Sequence, residues 1–213
     1  MDIIKGKGGK GTEIGLSKHD LEHILSTLRF GRLVVYPTET VYGLGADPFD
    51  ETAVKRVFLA KRRPFDMPLS IAVSDISVAE HIAELDENAY RLAKAFLPGP
   101  LTLLVKKRPV LPDIVTASLP EVGIRIPDHP VALRMLEEFG PIVSTSANLH
   151  SHPNPTNVEE AIADLGQSVA TYVDGGPCKV GTPSTIVQII DGTVEVIRYG
   201  AIPKEKIEDV LVR

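Results

Sequence analysis

Short apolar runs, rich in β-branched residues and bounded by Gly or Pro, recur along the chain. They are RLVVYP from Arg32, PLSIAVS from Pro68, LTLLVKK from Leu101 and VGIRIP from Val122, followed by PIVSTSAN from Pro141, ATYVDGG from Ala170, STIVQII from Ser184 and TVEVIRYG from Thr193. Runs that are apolar on both faces predict strands covered on both sides. Between them the period becomes helical. In SKHDLEHILSTLRFG, Ser17 is the predicted N-cap and Asp20 stands near the capping-box position. Leu21, Ile24, Leu25 and Leu28 form one stripe, and Gly31 lies past the end. ETAVKRVFLAKR, ENAYRLAKAFLPG, PVALRMLEEFG, NVEEAIADLG and KEKIEDVLV follow the same pattern. Strands and helices alternate, so the class is α/β. Asp191-Gly192 between two apolar runs predicts a hairpin, which makes part of the sheet antiparallel. No linker or repeat interrupts the pattern. We therefore expect a single domain over residues 15–203, a flexible N-terminal segment over 1–14 and a C-terminal helix over 204–213.

Composition narrows the class. A net charge of -5 argues against wholesale electrostatic binding to nucleic acid, leaving only local basic clusters such as KRRP at Lys61 and KKRP at Lys106. The single cysteine, Cys178, cannot form an internal disulfide; a reducing, cytoplasmic location is expected, with Cys178 a small packed side chain. No apolar run approaches the roughly 20 residues of a membrane span, and the first residues lack the apolar core of a signal peptide.

Candidate chemistry gathers at the ends of the predicted strands. PTETVYGLG follows RLVVY; Thr38 and Thr40 lie two apart and face the same way in extended chain, while Gly43 and Gly45 allow tight turns or close approach to a ligand. Lys61 and Arg63 pair a point charge with a planar fork, a combination suited to phosphates. Arg125 sits inside an apolar strand and demands an anionic partner. Ser144, Thr145, Ser146 and Asn148 end another strand, where α/β sheets hold ligands. Ser184 and Arg198 complete the set. GKGGKGT from Gly6 has the glycine spacing of a phosphate loop. However, Thr12 stands where that motif needs lysine, and only a short DII precedes it. The six histidines show no metal-ligand spacing, and no metal site of the chain's own is expected. Hydroxyls and cations without a carboxylate dyad or a catalytic triad suit a site that works by positioning polyanions.

The motifs PTETVYGLG, KRRP…PL, PGPLT, VGIRIPDHP, STSAN, STIV and IRYG stand here in the order of one family. The chain resembles the YrdC-like family, the threonylcarbamoyl-AMP synthases, from about Leu21 to Gly200, in their short form. The resemblance implies an open, twisted mixed sheet with flanking helices and a concave basic face. It also implies a reaction: L-threonine, bicarbonate and ATP, with magnesium, give threonylcarbamoyl-AMP and pyrophosphate. A separate tRNA threonylcarbamoyl transferase complex uses the product. By the same resemblance Lys61 and Arg63 are catalytic and hold the nucleotide phosphates, while Thr38, Arg125, Ser144 and Ser184 contact threonine. Ser146, Asn148, Asn154 and Arg198 lie on the nucleotide side. After SAN the chain departs from the family's usual Leu-Ser-Gly, with His150 in place of a small residue and His152 near the usual glycine.

Two other readings compete. An RNA-binding module would hold tRNA or duplex RNA through its backbone; the acidic net charge and 5% aromatic content count against it. Carbamoyl transfer, as in hydrogenase-maturation proteins with YrdC-like domains, would require acylphosphatase and zinc-finger segments that this sequence lacks.

Overall fold

A computed structural model describes residues 1–8 and 14–212. In chain order the elements are β1 (Asp2–Lys5), β2 (Lys7–Gly8), β3 (Ile14–Gly15), α1 (Lys18–Arg29), β4 (Val34–Tyr36), β5 (Gly43–Gly45) and α2 (Glu51–Lys61). Next come β6 (Ser70–Ala72), α3 (Ile76–Ile82), β7 (Ala83–Glu84), α4 (Glu87–Phe96), β8 (Leu101–Lys107), α5 (Asp113–Thr116) and β9 (Glu121–Arg125). The chain closes with α6 (Pro130–Phe139), β10 (Ile142–Ser146), α7 (Val158–Leu165), β11 (Thr171–Asp174), β12 (Thr185–Ile190), β13 (Thr193–Arg198) and α8 (Lys204–Val212).

Among the described residues the main sheet runs β1-β11-β4-β5-β10-β6-β9-β8-β12-β13, with β7 beside β8. It is open and mixed: β1/β11, β11/β4, β6/β9 and β12/β8 are parallel, and the other pairs are antiparallel. The α/β expectation holds. So does the hairpin, with Asp191 and Gly192 both at positive φ between β12 and β13.

Two cores flank this sheet. The stripe of α1 packs with Val131, Ala132, Met135 and Leu136 of α6 over Val34, Tyr36, Ala72 and Ile142. The opposite faces of the same strands, with Val35, Ile71 and Val143, join Leu44 of β5 in the larger core with α2, α4 and α7. Alternation along each strand divides its side chains between the two. Along β10 it carries Ile142 into the smaller core and then Ser144 and Ser146 onto the same face beyond it.

Caps end the helices where the sequence predicts. Ser17 Oγ accepts from Asp20 N at 3.1 Å, and Asp50 Oδ1 accepts from Thr52 N at 2.8 Å. At the far end of α2, Arg62 takes the left-handed conformation at φ 50°. That turn sends Lys61 and Arg63 to different places.

Two expectations change, and a third falls outside the described residues. Residues 2–5 are not a flexible extension: β1 pairs in register with β11 and Ile4 is buried in the smaller core. Their alternation is too short to register as a strand without a partner. The glycine motif beginning at Gly6 falls largely on residues 9–13, outside the described residues. Gly43 and Gly45 form a strand rather than a tight turn. A Cβ on Gly43 would lie 2.9 Å from Tyr36 Cζ, and one on Gly45 would lie 2.8 Å from Ile142 Cγ2. These glycines make room for neighbouring side chains, and Gly43 also lines a cavity. The helix expected at the C-terminus forms as α8. It docks on the domain, with Ile207 buried and Arg91 donating to the carbonyls of Val210 and Leu211.

Candidate active site at the strand ends

A cavity of about 160 Å³ opens where β5, β9, β10 and the start of β12 meet. Thr38, Arg63, Arg125, Ser144, Ser146, Ser184 and Arg198 all line it. Side chains from both ends of the domain thus share one small volume. Val41, Tyr42, Leu69 and Ile186 add apolar wall, and Ser70 and Thr102 add hydroxyls.

Arg125 is the most constrained of these groups. It is 8% exposed. Its Nη2 donates to Glu39 Oε1 at 2.8 Å and to Thr40 Oγ1 at 2.7 Å. Glu39 Oε2 accepts from Asp128 N at 3.1 Å, which locks the carboxylate. Arg125 Nε, also buried, has no hydrogen-bond partner among the described residues. A buried donor left unpaired costs about 1–3 kcal/mol; Nη1, which has no hydrogen-bond partner among the described residues and is not buried, is the donor the cavity can reach.

The hydroxyls have fixed directions. Thr38 gives its proton to Val41 O at 2.6 Å. In the 3.0 Å contact between the two hydroxyls, Thr40 must therefore be the donor. This leaves the lone pairs of Thr40 for Arg125. Thr38 and Thr40 face the same way, as their spacing predicts, but Thr38 meets the cavity with its hydroxyl hydrogen already committed. Tyr36 donates to Ser144 Oγ at 3.0 Å. Burial raises the tyrosine's pKa above its ordinary value and keeps it a donor. The proton of Ser144 is then available to a ligand. Ser184 Oγ contacts Thr102 Oγ1 at 2.8 Å and accepts from Arg198 Nη2 at 3.1 Å.

Two further arginines line the cavity. Arg63 donates from Nε to Met67 O at 3.3 Å and from Nη2 to Pro68 O at 2.9 Å. Arg198 grips Ser184 O through Nη2 at 2.8 Å. Burial, then the charges of Arg125 and Arg63, hold Arg198 below its ordinary pKa; burial does the same to Arg63. Arginine stays protonated regardless. Crowded like charges of this kind are what an anion would relieve.

Lys61, Asn148 and Asn154 do not line this cavity. Lys61 is 2% exposed, and its Nζ donates to Ser146 O, to Asn148 O at 2.7 Å and to Asn148 Oδ1 at 3.5 Å. Burial, then the charge of Arg63, lowers its pKa to about 7. Asn148 donates to Leu149 O at 3.0 Å and to His152 O at 2.6 Å, stapling the loop. His152 pairs with Asp164 Oδ1 at 3.0 Å, and Asp164 Oδ2 accepts from Leu149 N. Asn154 is exposed. The chain's departure after SAN is thus a pinned loop in which His152 has its own structural partner.

Sequence reasoning does not single out Glu39, Thr102 or Tyr42. The demand for a partner to Arg125 is legible, but its identity is not, because Glu39 lies 86 positions away. Tyr42 OH accepts from Gly175 N and donates to Gly176 O, tying the first motif to the loop before Ser184. Among the described residues no group of three or more His, Cys, Asp or Glu could hold a metal, and no helix is long and apolar enough to cross a membrane.

Comparison with known proteins adds the following. A family model for Sua5, YciO and YrdC proteins, described as telomere recombination, matches residues 26–200. The threonylcarbamoyl-AMP synthase of Pyrococcus abyssi (strain GE5 / Orsay) is 42% identical over 186 residues, which is 86% of this chain and 55% of that protein. That of Bacillus subtilis (strain 168) is 42% identical over 202 residues, 93% of this chain and 58% of that protein. The crystal structure of P. abyssi Sua5 complexed with L-threonine superposes with a TM-score of 0.92 at 38% identity, covering 99% of this chain and 61% of that one. The chain spans a little over half the length of these two curated relatives.

Proposed function

The chain belongs to the Sua5/YciO/YrdC family, and on that premise we propose that it is a threonylcarbamoyl-AMP synthase. Its substrates would be L-threonine, bicarbonate and ATP, and its products threonylcarbamoyl-AMP and pyrophosphate. A tRNA threonylcarbamoyl transferase complex would consume the adenylate.

The observation that carries this reading is Arg125, whose Nη1 has no hydrogen-bond partner among the described residues, in a cavity that Arg63 and Arg198 also line. One end offers a fixed donor to a carboxylate, and the other offers cations to phosphates. Bicarbonate takes up a proton and loses water to give carbon dioxide; the threonine amine adds to that carbon and releases a proton, leaving a carbamate, so one water leaves along with the products. A carbamate oxygen then attacks the α-phosphorus of ATP, and pyrophosphate departs. The chain contributes alignment: Arg125 and the Ser144 hydroxyl hold the amino acid, while Arg63 and Arg198 offset charge on the departing phosphates. Lys61 supports the site from below by holding the Ser146–Asn148 backbone. Magnesium would come with the triphosphate. Glu39, the carboxylate nearest to hand, is spent on Arg125 and Asp128 N, so these residues make no metal site of their own.

Pyrophosphate release by the purified chain, measured with ATP, magnesium and bicarbonate, tests the proposal. Release that depends on L-threonine and weakens with serine is expected. Binding of neither ATP nor threonine would overturn it and favour the RNA-binding reading.

A further inference from the structure

Three arginines line one small cavity, and burial, then the charges of Arg125 and Arg63, hold Arg198 below its ordinary pKa. Among the described residues Arg125 alone of the three has a carboxylate partner. Arg63 and Arg198 direct their bonded donors to carbonyls and to Ser184. Glu39 itself does not line the cavity. It is 6% exposed, and both its oxygens are occupied, one by Arg125 and one by Asp128 N. It therefore acts on a ligand only through the arginine.

Its pairing has two physical consequences. Nη2 is fixed between Glu39 and Thr40 and Nε is buried, which leaves Nη1, with no hydrogen-bond partner among the described residues, as the part of the guanidinium open to the cavity. The pair is also electrically neutral, so this end attracts bare anions far less than Arg63 and Arg198 do. A zwitterionic amino acid, neutral overall and needing one oriented donor for its carboxylate, suits the neutral end. A polyphosphate suits the uncompensated end.

We infer that Glu39 is a positioning residue that divides the cavity, making the Arg125 end selective for a zwitterionic amino acid and leaving phosphate to Arg63 and Arg198. This rests on the synthase reading for the identity of the two ligands. It adds the residue that keeps them apart.

The test is calorimetric titration of the full chain, its Glu39→Gln variant and its Thr40→Val variant, using L-threonine and inorganic pyrophosphate as separate probes. Gln keeps one acceptor but removes the charge. Glu39→Gln should weaken threonine by about tenfold, within the range of a lost charged hydrogen bond, and should tighten pyrophosphate, because a third uncompensated arginine then faces it. Thr40→Val removes the other acceptor without changing charge; it should weaken threonine by a few-fold and leave pyrophosphate unmoved. A merely structural role would shift both ligands by the same factor, and that result overturns the inference. Should Glu39→Gln not fold, Thr40→Val decides: unchanged threonine affinity there overturns the proposal. A wild type that binds threonine alongside variants that bind it equally well sinks only this inference. A wild type that binds no threonine sinks the synthase reading, and pyrophosphate binding unchanged by Glu39→Gln would then sink this one as well.

Discussion

Arg125 and Lys61 are both buried cations, yet their surroundings satisfy them differently. Around Lys61 the backbone carbonyls of Ser146 and Asn148 converge on the ammonium, and the loop from Ala147 to Asn157 is pinned by Asn148, His152 and Asp164. Around Arg125 the partners stop short, leaving a buried Nε without an acceptor. The first arrangement is complete without a ligand, and the second is not. Two buried cations thus differ in how fully the fold satisfies them: Lys61 by backbone carbonyls, Arg125 only in part.

The largest expected effect breaks that division on the ligand side. Arg125→Ala should abolish measurable threonine binding and threonine-dependent pyrophosphate release while the fold survives, because Glu39 then sits beside a water-accessible cavity. Threonine affinity within about twofold of wild type, well under the roughly 1.5–3 kcal/mol of a charged hydrogen bond, would place Arg125 with the scaffold.

Next, the double variant Arg63→Ala, Arg198→Ala should weaken ATP by about tenfold or more, as two charged hydrogen-bonding groups are removed, and leave threonine little changed. Equal loss of both ligands in titration would mean that the cavity has no phosphate end.

Lys61→Met tests the scaffold side. It strips two carbonyls of their donor, at about 1–3 kcal/mol for each buried group left unpaired, so the melting temperature should fall by several degrees for a chain of this size. Turnover should drop through the displaced Ser146 loop. A variant with wild-type melting and lost ATP binding would instead make Lys61 a direct phosphate ligand.

The smallest effect is in pH. Lys61 titrates at about 7 in the fold and near about 10.4 when unfolded. Between those values the unfolded chain holds a proton that the fold does not, so this group's contribution to stability rises as pH rises from about 7 to about 10. The stability gap between wild type and Lys61→Met should widen over that window in denaturant titrations. A gap that narrows would reverse the sign of the shift.

Much of the site is legible in the order of residues alone. Thr38, Ser144, Ser146, Ser184 and Arg198 sit at ends of apolar runs, Arg125 stands out as a cation within one and Arg63 follows a helix, and strands that stop in hydroxyls or cations announce a shared edge. Lys61 is legible as a cation but not as a scaffold, because the carbonyls that claim it belong to residues 85 and 87 positions away. β1 escapes notice for the same kind of reason: four residues carry little pattern until β11 lies beside them.

By itself the sequence determined the alternation of strands and helices, the caps, the Asp191-Gly192 hairpin and the chemical types gathered at the strand ends. These depend on period, local hydrogen bonding and backbone freedom, which act over a few residues. Only the tertiary structure decided which arginine is paired and which donor is left unmet. It also decided which lysine is consumed by the backbone, and that Gly43 and Gly45 make room for Tyr36 and Ile142. These outcomes depend on groups brought within about 3 Å of one another from distant parts of the chain, a distance that no spacing along the sequence encodes.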